Sequence, residues 1–234
     1  MTQPNKKATW LMFDQISQSY DKMNRLMTAG MDQKWRQRLL SKLPTQSGLH
    51  LLDLATGTGD VAILAAQQCV QVDSIIGLDQ SVNMLKIAQE KVEKEKLSND
   101  ISLKEGNIES IPYPDNHFDC VSIAFGIRNV EHLEKGLSEI YRVLKPNGKV
   151  LILESSNPRN PMIRPFYSLY SRWVMPALGQ LVSGHKSAYS YLNQSMAVFP
   201  YGEAFCQQLR QVGFQEVRCD PQFFGTVSIY DACK

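Results

Sequence analysis

The residues whose types and spacing most clearly imply chemistry lie in His50-Leu-Leu-Asp-Leu-Ala-Thr-Gly-Thr-Gly-Asp60. An apolar run that ends in Asp53 and turns through Gly57-Thr58-Gly59 brings bare backbone N–H groups close to whatever lies beyond a strand end. Glycine permits that approach because no Cβ stands in the way. A second apolar run, Ser74–Asp79, ends in an acid about twenty residues later, where a carboxylate can accept hydrogen bonds from ribose hydroxyls. Loop and acid together point to a ligand that carries adenosine. A tight turn and a helix cap would also explain these residues, and Gly57-Thr-Gly-Asp-Val-Ala62 fits the G-x-G-x-x-A form of a dinucleotide site. Charge favours S-adenosylmethionine. Asp60 suits a ligand without phosphate, and Asp53, ahead of the loop, can meet the cationic methionine end.

The elements that must hold these residues follow from periodicity. Residues 49–55 and 74–79 suit buried parallel strands, with a helix over Asp60–Cys69 between them. Ser81 caps a helix that runs to Lys96. The alternation continues through strands Ile101–Glu105 and Phe118–Phe125, a helix over Leu133–Leu144, a turn at Lys145–Lys149 and a strand over Val150–Glu154. Repeated βα units of this kind predict an α/β fold with a doubly wound, mainly parallel sheet. Gly202–Val212 reads as a helix, and Phe214–Cys219 with Thr226–Ala232 as a closing antiparallel pair. Two segments interrupt the alternation: residues 9–43, amphipathic and helix-prone, and residues 157–200, rich in proline, aromatics and methionine. Both are expected to cap a substrate site within a single domain spanning residues 1–234.

Bulk properties narrow the partners. A net charge of +2 with no Lys/Arg block leaves no footprint for nucleic acid. Cys69, Cys120, Cys206, Cys219 and Cys233 form no C-x-x-C pair and lack His at zinc spacing, so they read as reduced structural thiols with no metal. No apolar run follows the polar first residues, and none approaches the length of a membrane span. A cytoplasmic location is the expectation.

Three separated stretches resemble a known family. Asp53–Gly59, Leu78-Asp79 and Gly106-Asn107-Ile108-Glu109…Pro112…Phe118-Asp119 are similar to the successive cofactor motifs of class I methyltransferases. Tyr20-Asp-Lys-Met-Asn-Arg-Leu-Met-Thr-Ala-Gly-Met-Asp-Gln-Lys-Trp35, Phe125-Gly-Ile-Arg-Asn-Val130 and Arg142–Ser156 resemble the hallmarks of the UbiE/MenG family of menaquinone/ubiquinone-biosynthesis C-methyltransferases. The likeness extends from about Phe13 to the C-terminus. This chain departs from the family pattern at Asp32, where His is usual, at Asn147, where Gly is usual, and at Ala124, often Ser. The last change removes a polar contact near the cofactor.

The resemblance implies a seven-stranded sheet with the last strand antiparallel, and cofactor contacts from Thr58, Asp79, Asn107 and Ile108 beside Asp53, Gly57 and Gly59. It also implies methylation of a ring carbon of a demethylmenaquinol or a methoxy-polyprenyl-benzoquinol. The alternatives are another aromatic or lipid-like acceptor on the same fold, or a non-catalytic scaffold in a quinone-synthesis assembly. Carbon is a weak nucleophile, so a cation or base at the ring hydroxyl is the expected aid. Arg128, just after the fourth strand, is the first candidate, against the simpler reading of an Arg–carboxylate clamp with Asn129 capping the next helix. Tyr191 and His185 are candidates for proton handling. Phe166, Tyr167, Tyr170, Trp173 and Met175 beside Arg164 and Arg172 suit an isoprenoid groove, a peripheral contact with the inner face of the membrane, or packing across a homodimer interface.

Overall fold

The computed structural model describes residues 6, 9–158, 160–175, 177 and 186–234. Seven strands form one sheet: β1 (Leu49–Leu54), β2 (Val72–Asp79), β3 (Ile101–Glu105), β4 (Phe118–Ala124), β5 (Leu144–Ser155), β6 (Gln215–Gln222) and β7 (Val227–Cys233). Their order is β3-β2-β1-β4-β5-β7-β6. β1 to β5 pair in parallel, and β7 runs antiparallel to both β5 and β6. Among the described residues, no helix is long and apolar enough to cross a membrane.

β1 illustrates why the sheet is buried on both faces. Leu52 and Leu54 join the core beneath α5 (Leu133–Val143) and α8 (Glu203–Val212), while Leu51 joins the core beneath α2 (Met31–Leu40) and α3 (Asp60–Gln68). Successive side chains alternate across a strand, so Asp53 shares the α2/α3 face with Leu51. β1 lies between β2 and β4, which makes its carboxyl end the point where the chain reverses its direction of winding. Ligands bind in the crevice at such a point.

Ser81 caps α4 (Val82–Lys94), its Oγ accepting from the Met84 N–H at 3.2 Å. The expected turn at Lys145–Lys149 is instead absorbed into β5 as an irregularity. Pairing with β4 jumps from Phe118–Leu144 to Cys120–Lys149, and Asn147 takes a φ of +63°. An extra loop of chain is accommodated as a bulge without ending the strand.

The segments outside the alternation are mainly helical where described. α1 (Thr9–Met27) crosses the carboxyl edge and is pinned there by two acids one stripe apart. Asp14 accepts from the Ser81 hydroxyl at 2.6 Å and the Asn83 N–H at 2.9 Å, and Asp21 accepts from the Thr58 hydroxyl at 2.6 Å and Lys91 Nζ at 3.0 Å. α6 (Arg164–Leu169) runs into a π-helical turn at Tyr170–Val174, and α7 (Lys186–Val198) follows. The Tyr170 hydroxyl donates to the Met27 carbonyl at 2.5 Å, joining the second cap to the end of the first.

Candidate active site

Two cavities adjoin at the carboxyl edge, and both are lined by Phe13, Tyr20 and Phe125. The first, of about 270 Å³, is the more polar; Gly57, Asp79, Asn107, Ile108, Ala124 and Asn129 are among its walls. The second, of about 530 Å³, lies between α1, α2 and α6 and is mainly apolar. Its polar groups include Tyr20, Asp32, Arg36, Arg128 and Tyr167.

The polar cavity is made by backbone that only certain residues tolerate. Gly57 has a φ of +56°, and a Cβ there would meet nothing closer than the Ala55 carbonyl at 4.0 Å. At Gly126, by contrast, a Cβ would lie 2.5 Å from that of Ala55. Ala55 and Phe125 themselves hold left-handed φ values of +48° and +58°. Strained non-glycine residues concentrate where a site depends on their shape, and both of these line the cavity.

Asp79 stands at the cavity wall with its Oδ2 accepting from the Gly57 N–H and its Oδ1 from the Ser81 N–H, each at 2.8 Å. Burial pushes its carboxyl above the usual range, against the N–H donors that favour the charged form. A carboxylate so placed suits hydroxyl donors of a ligand. Asn107 turns the chain into the cavity floor, its Oδ1 accepting from the Glu109 N–H at 2.8 Å, and Ile108 adds an apolar surface. Backbone approach at a glycine, a carboxylate at the second strand end and an apolar slot form a cradle that fits an adenosine-bearing ligand.

Three expected contacts sit elsewhere. Asp53 is 1% exposed and lies beneath the loop, where Thr56 and Ser122 hydroxyls donate to its two oxygens at 2.6 and 2.7 Å. It lines neither cavity, and burial pushes its pKa up to about 6. Thr58 turns its hydroxyl to Asp21 on α1, and Gly59 packs against Ala88 of α4, where a Cβ would come within 3.2 Å of that side chain. These residues shape and fasten the loop. Asp60 is not an isolated charge: Lys91 at 2.5 Å, Arg25 at 3.5 Å and Arg36 at 3.7 Å surround it. Burial alone would raise its pKa, but the cations outweigh burial and hold it low. A charge so neutralised argues neither for nor against a phosphate.

Arg128 is 4% exposed, and its Nη1 donates to Glu154 at 2.5 Å and to the Phe125 carbonyl at 2.7 Å. The clamp is therefore present, yet the side chain also lines the apolar cavity, and its buried Nε has no hydrogen-bond partner among the described residues. Asn129 lines the polar cavity, and its Oδ1 accepts from the Tyr191 hydroxyl at 3.4 Å instead of capping α5. Tyr191 also meets the Thr9 hydroxyl at 3.3 Å and lines neither cavity, so it ties α7 to α1. His185 lies outside the described residues.

Sequence reasoning gave no chemical role to Phe13 and Tyr20, the residues of α1 shared by both cavities. Their sequence signal is a spacing of i, i+7, which Asp14 and Asp21 repeat one position later. Two stripes on one helix, one aromatic and one acidic, mark a helix that faces a site and is fastened beside it.

The whole chain, residues 1–234, matches the model of the ubiE/COQ5 methyltransferase family. It is 42% identical to a demethylmenaquinone methyltransferase of Bacteroides fragilis, over 95% of this chain and 91% of that one. It is 41% identical to a ubiquinone/menaquinone biosynthesis C-methyltransferase UbiE of Geobacter sulfurreducens, over 94% and 85% of the two chains. Solved structures share the fold at lower identity. An S-adenosylmethionine-dependent methyltransferase of Thermotoga maritima, described as a possible histamine N-methyltransferase, aligns with a TM-score of 0.67 at 18% identity over 96% of this chain and 99% of that one. Phosphoethanolamine N-methyltransferase 2 of Haemonchus contortus, solved with S-adenosylmethionine, aligns at 0.63 and 20% identity, over 85% of this chain and 52% of that one.

Proposed function

From the premise that this chain belongs to the ubiE/COQ5 methyltransferase family, we propose that it transfers a methyl group from S-adenosylmethionine to a ring carbon of a demethylmenaquinol. A methoxy-polyprenyl-benzoquinol is the second acceptor in view, on the strength of the relatives named for both pathways. One observation carries the reading: a polar cradle and a larger apolar cavity meet at Phe13, Tyr20 and Phe125.

In this reading Gly57, Asp79, Asn107 and Ile108 hold the methyl donor, and Asp53, Thr58 and Gly59 position the loop. When bound, S-adenosylmethionine supplies a methyl group on a cationic sulfur, an electrophile that asks for alignment more than activation. The chain's task is to seat the acceptor. Tyr20 and Phe125 direct the ring toward the polar cradle, and the apolar walls exclude water. Arg128 stabilises the ring oxygen as a phenolate, which raises electron density at the adjacent carbon. Glu154 keeps the guanidinium in place for that contact.

Residues 9–43 and 157–200 act as caps on one methyltransferase domain, and the isoprenoid tail leaves through the apolar cavity. Phe166 and Trp173, 75% and 64% exposed, provide a peripheral contact with the cytoplasmic face of the membrane. The direct test supplies purified protein with donor labelled in its methyl group and both demethylated quinols under reducing conditions. Label on the ring carbon of the naphthoquinol supports the assignment; label on oxygen, or none on either ring, overturns it.

A further inference from the structure

The apolar cavity contains a second buried guanidinium. Arg36 and Asp32 lie one turn apart on α2, and both line the cavity near Tyr20 and Phe125. Asp32 Oδ2 accepts from Arg36 Nη1 at 2.6 Å and from Arg25, while its Oδ1 accepts from the Thr28 hydroxyl at 2.9 Å. The Arg36 Nε is buried and, like that of Arg128, has no hydrogen-bond partner among the described residues. Buried guanidinium N–H groups are rarely left without an acceptor, and both side chains line the one cavity, so ligand oxygens seated there can complete them.

Both arginines are tied to the same residue, one through its ring and one through its backbone. The Arg36 guanidinium lies 5.8 Å from the centroid of Phe125, and Arg128 Nη1 grips the Phe125 carbonyl. Each is paired with a carboxylate, Arg36 with Asp32, which Arg25 shares, and Arg128 with Glu154, so the two are fixed posts in a mainly apolar space. Asp32 adds something the Glu154 post lacks. Glu154 is fully buried and outside the cavity lining, whereas Asp32 belongs to it, with one oxygen engaged, among the described residues, by a threonine hydroxyl alone. A phenolic hydroxyl both donates and accepts. An Arg36 N–H and the Asp32 carboxylate together supply both complements.

We propose that Arg36, oriented by Asp32, is a specificity-determining residue that binds the second ring oxygen of the acceptor, para to the hydroxyl held at Arg128. The inference rests on the quinol reading above and narrows it: the site takes a ring with two oxygens in para relation and discriminates against a monophenol. A ring with one hydroxyl would leave one buried guanidinium N–H stripped of water and without an acceptor. Sites built around such a contact reject the analogue that lacks it by large factors.

The test compares a 3-prenyl-1,4-naphthalenediol with the same ring lacking the hydroxyl para to the activating one. Wild-type protein is expected to favour the diol in kcat/KM by about a hundredfold or more. Arg36→Met is expected to bring that ratio within about threefold, and Arg36→Lys to restore part of it. A merely structural Arg36 would lower both rings alike and leave the ratio unchanged, which overturns the proposal. Calorimetry on wild-type protein with S-adenosylhomocysteine present, comparing 1,4-dihydroxynaphthalene with 1-naphthol, needs no variant and covers the case of a misfolded one. Equal affinity there also overturns the proposal. Methylation of neither ring alongside retained preference for the diol would defeat the functional reading and leave the recognition standing. Methylation of both rings at equal efficiency would do the reverse.

Discussion

The two cavities that meet at Phe13, Tyr20 and Phe125 are built in opposite ways. The polar one is made of strand ends and backbone: Gly57, Asp79, Asn107 and Ile108 stand at or just beyond the ends of strands, with Asp79 accepting from the Gly57 and Ser81 N–H groups and Asn107 from that of Glu109. The apolar one is made of side chains brought from distant parts of the chain, among them Tyr20 and Arg36 from the first cap, Arg128 from the sheet edge and Tyr167 from the second cap. Under the proposed function, the contrast matches the chemistry each side would serve. A donor common to many methyltransferases can be held by a shared backbone cradle, whereas a particular acceptor needs a wall assembled for it.

Removing Arg128 breaks the comparison most severely. Arg128→Ala is expected to lower turnover by about 10²–10³-fold, the usual cost of losing one donor at a developing oxyanion, while S-adenosylhomocysteine affinity stays unchanged. Paired replacement with Glu154→Gln guards against a buried carboxylate left without its counter-charge. Turnover near normal, measured by label transfer, would remove Arg128 from the acceptor side.

Asp53 gives the next largest effect, and it concerns stability. Its folded pKa of about 6 lies above the ordinary value of 3.8. The stability it contributes as a neutral acid is thus complete below about pH 4 and lost as pH rises through 6. Asp53→Asn stays neutral throughout, so the variant should gain on wild type by up to about 3 kcal/mol between pH 4 and 7.5. Urea unfolding at the two pH values checks this; a difference independent of pH would contradict the buried, proton-holding role.

Asp79→Asn keeps the shape of the cradle and removes its charge. Donor affinity is expected to fall about tenfold, with acceptor affinity unaffected, as isothermal calorimetry with each ligand would read. Equal loss for both ligands would merge the two cavities into one site. The smallest effect belongs to the rim. Replacing Trp173, which is exposed and outside the lining of both cavities, with Ser should weaken binding to anionic liposomes severalfold while leaving methylation of a short-tailed quinol intact. Liposome binding equal to that of wild type would exclude the membrane contact.

The same contrast explains what the sequence discloses. Gly57, the acid at the end of β2 and the alternation of strands are local signals, imposed by φ angles and by burial on both faces of a parallel sheet, and the sheet follows from them. Asp53 and Thr58 are equally visible as residue types, but their side-chain directions depend on partners far along the chain, Ser122 and Asp21. That is why both read as ligand contacts and turn out to fasten the loop. Asp60 misleads for a related reason: its neutralising cations come from α1, α2 and α4. The apolar cavity is the least legible part. No local pattern joins Arg36 to Phe125 or Tyr170 to Met27, and only the packing of both caps over the sheet edge brings them together.

The central claim is that donor and acceptor occupy separate cavities that meet at Tyr20 and Phe125. A crystal structure of the protein with S-adenosylhomocysteine and an unreactive dihydroxynaphthalene tests it most directly. The account predicts the nucleoside against Gly57, Asp79 and Ile108, and the ring in the apolar cavity beside Tyr20 with one oxygen at Arg128. A ring lodged in the polar cradle, or bound only on the outer rim at Phe166, would contradict it.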